Sequence, residues 1–208
     1  FFIMGKGHAC LSLYPILNDL GFLSDERYEE YGKNGSSIGG QLDISIPGVE
    51  YNTGSLGHAL GICAGFALAS KLDGKENQSV ALIGDAECDE GAIWEAILFA
   101  GENKLNNLVC IVDRNRLSVT KVIESEVVFG EFKKKMDYFE WDCEEINGHN
   151  FEEIFQALEK VKAGKRPLMI LADTIKGKGV SFMESVTKWH HAVPTEKEVQ
   201  IAKEELKL

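Results

Sequence analysis

Short apolar runs at 1–4, 80–83, 108–112 and 168–172, with the segment CEEI at 143–146 read alongside them as a strand, alternate with longer stretches at 12–20, 55–70, 92–103 and 151–161 whose apolar residues recur at helical spacing. Runs that short and continuous suit strands buried on both faces better than amphipathic helices. Strands alternating with helices predict an α/β fold, a parallel sheet with helices on both faces, because every parallel connection has to cross over the sheet. In such sheets ligands bind at the carboxyl ends of the strands. Asn150 is placed to cap the helix at 151–161, and a charged helix at 197–208 is expected to pack loosely or lead onward. With 208 residues, 44% hydrophobic and 26% charged, the chain suits one large domain, 1–208, with a full core.

Polar residues stand at the ends of two of those runs. Asp85 opens GDAECDEG directly after the run at 80–83, and Asn115 follows the run at 108–112. An oxygen-bearing side chain at the end of each of two neighbouring strands, with glycines beside it, suits a hard divalent cation that carries a diphosphate. Magnesium prefers octahedral oxygen and takes one or two carboxylates, filling its other positions with phosphate, carbonyl or water. Asp85, the side-chain oxygen of Asn115 and the carbonyl of Leu117 are the candidate ligands, and Asp85 and Asn115 also read as ordinary turn caps. Thr53-Gly54-Ser55-Leu56-Gly57, leading a helix, is either a tight turn or a place where a ligand meets the backbone. Gly57, Gly61 and Gly65 recur on one helical face, open to a partner's backbone or to this domain's own sheet. Glu90 in a helix's first turn favours the helix dipole, and Trp94 and Phe99 after it read as core.

Charge and thiols narrow the function. A net charge of −11 leaves no basic stripe to neutralise phosphates, which argues against a nucleic-acid role. The run Lys133-Lys134-Lys135 reads as a solvated helix face. Five cysteines, odd in number, widely spaced and without a CxxC pair, read as free thiols of a reducing compartment. No apolar run approaches the roughly 18 residues of a membrane span, and no signal-peptide pattern is visible, so the expected address is cytoplasmic. A nicotinamide-binding oxidoreductase is disfavoured, since no GxGxxG follows the first strand.

Four blocks, in order, resemble the amino-terminal, diphosphate-binding domain of transketolases: KGHAC, PGVEYNTGSLGHALGICAGFALA, GDAECDEGAIWEAILFAGENKLNNLVCIVDRN and TIKGKGVSFMESVTKWHH. A GD start followed by Asn after a second strand is similar to that family's thiamine diphosphate motif. The resemblance implies the thiamine diphosphate-binding fold, thiamine diphosphate with Mg2+ (or Ca2+), and transfer of a two-carbon ketol unit from a ketose donor to an aldose acceptor. It places Gly54 and Leu56 at the cofactor's aminopyrimidine and Gly84, Asp85 and Ala86 along its diphosphate. It puts His8 against substrate and cofactor, and His190 near the diphosphate and the reacting carbons. Glu90 would belong to an acid network linking two active sites. The implied catalytic set is His8, His190 and Glu90.

Several positions depart from the family. Ala86 stands where a second glycine is usual, which is tolerable at negative φ. In GGQLD the family's histidine has become Gln41, which hydrogen-bonds a sugar hydroxyl but does not exchange a proton near neutral pH. DRNRLSVT stands where transketolases read more like DNNGLQID. His191 follows where glycine is commoner, His58 stands where glutamine is frequent, and His149 before a helix cap reads as structural. The family carries a helix and a histidine-bearing loop ahead of the KGHA strand, and its pyrimidine-binding and carboxy-terminal domains come after the blocks matched here. Because this sequence opens inside that strand with FFIMGKGHAC and stops at Leu208 before those two domains, the expectation from the resemblance is a split enzyme whose partner is a carboxy-terminal, pyrimidine-binding subunit in an α2β2 assembly acting on sugar phosphates. The alternatives are another thiamine diphosphate enzyme on the same scaffold, acyloin-forming or decarboxylating, and a non-catalytic interaction protein. Gln41, Ala86 and DRNRLSVT favour the first alternative; Asp85 and Asn115 speak against the second.

Overall fold

A computed structural model of the chain describes residues 1–117 and 126–208. Five parallel strands form one sheet: β1 (Phe2–Met4), β2 (Ser79–Gly84), β3 (Leu108–Arg114), β4 (Asp142–Asn147) and β5 (Leu168–Asp173), in the order β1-β2-β3-β5-β4. The helices are α1 (Cys10–Asp19), α2 (Asp25–Tyr28), α3 (Ala59–Leu72), α4 (Gly91–Glu102), α5 (Glu126–Phe129), α6 (Phe132–Tyr138), α7 (Phe151–Glu159) and α8 (Glu196–Leu206). Every expected strand is present, and so are helices on both faces.

Alternation along the strands sorts their side chains into two cores. Ile3, Ala81, Ile83, Cys110, Val112, Met169 and Leu171 face α3, α4 and α6. On the other face Val109, Leu168 and Ile170 meet α7, while Met4 and Leu82 meet α1. The step from β3 to β4 leaves a place that β5 fills on the way back, so right-handed crossovers put α6 and α7 on opposite faces. Likewise the chain leaves β1 for α1 on one face and β2 for α4 on the other, and a crevice opens between their carboxyl ends.

Local sequence explains most element boundaries. In α4, Ile93, Ala96, Ile97 and Ala100 are buried at helical spacing. The Asn150 side chain caps α7 by accepting from the Glu152 and Glu153 amides, as its position predicts. Helix α3 begins four residues later than its apolar pattern, at Ala59, because Gly54 (φ +123°) and Gly57 (φ +87°) hold the preceding loop in conformations a helix cannot contain. It buries Leu60, Cys63, Ala64 and Ala67, which leaves Gly61 and Gly65 on its exposed side, facing away from the sheet. Lys133 and Lys134 lie on the solvated side of α6. Trp94 is half-buried, its indole N–H donating to the Cys88 carbonyl at 2.9 Å, but Phe99 is not core: it is 41% exposed beside Leu98 at 48%. Helix α8 buries no residue, yet it is tied down, since Glu205 accepts from the Ser181 amide at 2.7 Å and from its hydroxyl at 2.5 Å. All five cysteines are free and buried. No helix among the described residues is long and apolar enough to cross a membrane.

Candidate active site

A cavity of about 520 Å³ lies over the carboxyl ends of the strands. Lys6 and His8 reach it from the turn after β1, Gly84 to Glu87 from the end of β2, Asn115 and Leu117 from the turn after β3, and Lys176, His190 and His191 from the segment after β5. Gln41, Gly54 and Leu56 close it from the long connection before α3. Every site residue singled out in the sequence lines this cavity except Glu90. That side chain is exposed at the N-cap of α4 and packs beneath Gly57, where an added Cβ would lie 2.7 Å from its own. Arg116 falls in the DRNRLSVT stretch, whose 118–120 part lies outside the described residues.

Asp85 is 2% exposed and among the described residues forms no ion pair. Its carboxylate accepts from the Ala86 amide at 2.8 Å and from the Arg116 amide at 2.5 Å. Burial raises its pKa against the pull of those two bonds. Asn115 turns its side-chain oxygen onto the Leu117 amide at 3.1 Å, so it caps a turn and faces the cavity at once. Ala86 sits in a 3-10 turn (Asp85–Asp89) outside the positive-φ residues, which meets the condition for its methyl. A buried carboxylate beside an amide oxygen and a carbonyl is a hard-cation donor set. Among the described residues no three His, Cys, Asp or Glu side chains gather to hold a metal alone, so a cation here would draw further ligands from water or from a diphosphate.

Three features were not read from the sequence. Glu87, 2% exposed, accepts from the Gly84 amide at 3.0 Å and from the Gly57 amide at 3.2 Å, tying the loop before α3 to the end of β2. Gly5 makes room for it, since a Cβ there would lie 2.7 Å from Glu87 Oε1. Lys6 pairs with Asp113, which also accepts from the Thr174 hydroxyl. Burial alone would raise the Asp113 carboxyl, but Lys6 and these bonds outweigh it and hold the pKa below the usual range. Lys176 lies 2.5 Å from His190 Nδ1 and has no carboxylate partner among the described residues; burial, then Lys6, lowers its pKa.

The two candidate histidines meet with ring centroids 4.8 Å apart. His8 borders the open cavity, yet its pKa is lowered to about 4, first by lost solvation and then by His190, Lys6 and Lys176. His190 is lowered by burial, Lys176, Lys6 and His191. Both are neutral at pH 7. An ammonium only donates, so Lys176 takes His190 Nδ1 as acceptor and leaves the ring's hydrogen on Nε2. Gln41 Oε1 accepts from the Thr53 hydroxyl at 3.0 Å, and a Cβ at Gly7 would lie 2.1 Å from both oxygens. Its NH2 group is left to face a ligand. His58 stands at the N-cap of α3 outside the cavity lining, and His149 Nε2 accepts from the Ile175 amide at 2.7 Å, a structural contact.

Residues 1–208 match the sequence model of the family described as transketolase, thiamine diphosphate binding domain. The chain is 39% identical over 206 residues to an apulose-4-phosphate transketolase subunit from Phocaeicola vulgatus, covering 99% of this chain and 73% of that protein. It is 34% identical over 206 residues to a 6-deoxy-6-sulfo-D-fructose transketolase subunit from Clostridium sp., covering 98% and 75%. The crystal structure of transketolase from Campylobacter jejuni superposes with a TM-score of 0.90 at 32% identity, over 100% of this chain and 34% of that one. The chain thus spans about a third of the length of that transketolase.

Proposed function

Because the chain belongs to the transketolase family, through its thiamine diphosphate-binding domain, we propose that it is the diphosphate-binding subunit of a split enzyme that moves a two-carbon ketol unit from a ketose to an aldose. What carries this reading is the convergence of Asp85, Asn115, Leu117, Gly54 and Leu56 with His8 and His190 on one cavity. The word subunit in the names of two relatives supports division into two polypeptides. The partner we assign is a carboxy-terminal, pyrimidine-binding subunit in an α2β2 assembly. One relative's name carries a phosphate and the other's a sulfo group, so a sugar with an anionic terminus is the substrate class. Residues 1–208 are read as one domain, and five free buried thiols suit the reducing cytoplasm.

Thiamine diphosphate, when bound, supplies the carbon nucleophile. Asp85, the Asn115 side-chain oxygen and the Leu117 carbonyl would hold Mg2+ or Ca2+. Lys176, unmatched by a carboxylate among the described residues, adds positive charge on the same cavity wall, whereas Asp113 already balances Lys6. Leu56 keeps an apolar side chain, 38% exposed, on the wall for the aminopyrimidine. His190 offers a fixed Nε2–H donor to a substrate oxygen. His8, neutral above about pH 4, is free to accept a hydroxyl proton.

A second reading, a different carbon–carbon bond-forming or decarboxylating enzyme on this scaffold, is favoured by Gln41, which brings hydrogen bonds but no proton exchange. Calorimetry with thiamine diphosphate and Mg2+, on the chain alone and with its partner, tests both. Weak binding alone and tight binding in the complex are expected. Robust ketol transfer by the isolated chain would sink the two-subunit assignment, and no binding in the complex would remove both enzymatic readings.

A further inference from the structure

Arg116 has φ +62°, in the left-handed region that residues with a Cβ enter only at a cost. That conformation aims its amide at the Asp85 carboxylate, 2.5 Å away, within the turn that also carries Asn115 and Leu117. The turn of the proposed metal site is therefore built on a strained residue, and its side chain is gripped from outside the cavity. Arg116 Nη2 lies 3.3 Å from Asp173 Oδ1. Asp173 is itself held by Nε and Nη2 of Arg114, each at 2.5 Å. Arg114 and Asp173 are direct partners across the β3–β5 ladder, and the Arg114 side chain is 15% exposed, so the sheet fixes this fork. The pair of Arg116 with Asp173 is too exposed to add much stability by itself.

We infer that Asp173 is a positioning residue for the metal and diphosphate site: fixed by Arg114, it holds Arg116 in its left-handed turn, and through the Arg116 amide it orients Asp85. This rests on the functional reading above. Glycine adopts φ +62° freely, so a chain with glycine at this place has no need of the clamp, whereas one with arginine has. Without Asp173 two guanidinium groups lose their shared counter-charge and Arg116 relaxes toward negative φ, turning its amide off Asp85.

The test is Mn2+ binding to the intact chain in the presence of thiamine diphosphate, followed by electron paramagnetic resonance, with the melting temperature of each variant read in parallel. Asp173→Ala is expected to weaken Mn2+ several-fold, the most that an exposed pair can contribute by biasing one turn. Arg116→Gly should bind like the wild type, and Asp173→Ala/Arg116→Gly should recover the affinity that Asp173→Ala lost. If the alanine variant fails to fold, Asp173→Asn, which keeps the shape and drops the charge, carries the same expectation. Wild-type affinity in the Asp173 variant, or a loss that Arg116→Gly does not recover, overturns the inference. Asp85→Ala is the control: if it too binds like the wild type, the metal site itself is misassigned and the clamp's role falls with it, while a loss there with none at Asp173 removes the clamp alone.

Discussion

Gln41 stands in the candidate site where the family resemblance implies a histidine. Pinned at its oxygen by Thr53, it presents donors to the cavity but no group that titrates near neutrality. Transfer between xylulose 5-phosphate and ribose 5-phosphate should be slow in the assembled complex, and Gln41→His should raise it by about a hundredfold to ten-thousandfold. High wild-type activity on that pair would refute the idea of a changed substrate, and an unimproved histidine variant would place the change elsewhere in the pocket. Asp85→Ala removes the one carboxylate of the ligand set and should weaken cofactor binding by about a hundredfold or more, while exposed Glu90→Gln should barely move it in the isolated chain; equal effects would mean the motif is misread. His8 sets a pH dependence. Its folded pKa of about 4 lies below the unfolded value of 6.5, so the unfolded chain binds the extra proton between them and stability rises with pH across that window. The contribution is fully present above 6.5 and fades toward 4, so a His8→Gln variant should show a flatter melting temperature from pH 6.5 to pH 4, measured by calorimetry. The motif residues were legible because each sits beside a strand end in a recognisable run. Lys6 with Asp113, or Glu87 with Gly57, was not, since those partners are far apart in sequence and meet only once the strand order is known.

At the level of elements, the sequence shows where strands lie and misplaces what glycine and short helices do. Continuous apolar runs mark β1, β2, β3 and β5, whereas β4 holds Glu144 and Glu145 between Cys143 and Ile146 and, as an edge strand, is exposed at alternate positions rather than buried on both faces; the pattern at 55–70 runs through the loop of Gly57 because hydrophobic spacing does not register a left-handed backbone. Helices α2 and α5 are single turns whose local pattern is too short to register. Phe99 reads as core because it follows Trp94 on an apolar helix; α4 in fact spends its buried face on Ile93, Ala96, Ile97 and Ala100. The charged tail is the most instructive case. Helix α8 has a capping box between Thr195 and Glu198 and reaches back through Glu205 to Ser181, in the segment that brings Lys176 and His190 to the cavity. Glu205→Ala should therefore raise the KM for cofactor several-fold while leaving the melting temperature almost unchanged, since the side chain is exposed. An unchanged KM would show that the segment holds its shape without the helix.

For the whole molecule, the parallel sheet gathers the candidate groups at one end and leaves the outer side of α3 and α4 partly apolar. Gly61 and Gly65 lie there with Leu98 and Phe99 nearby on the same helical layer. Nothing lies within 4 Å of a Cβ added at Gly65. Gly65→Leu should thus stabilise the isolated chain by about 0.5–1 kcal/mol through helix propensity, yet weaken its association with the pyrimidine-binding subunit proposed as its partner, as analytical ultracentrifugation would show; undiminished assembly would mean that such a partner docks elsewhere. The sealed interior also makes the chain its own unfolding clock. Burial pushes the Cys63 and Cys143 thiols up to about 12, and no cysteine reaches the surface. A maleimide offered to the native domain therefore waits for the layers to part, and each modified thiol is the record of an opening rather than of a reactive side chain.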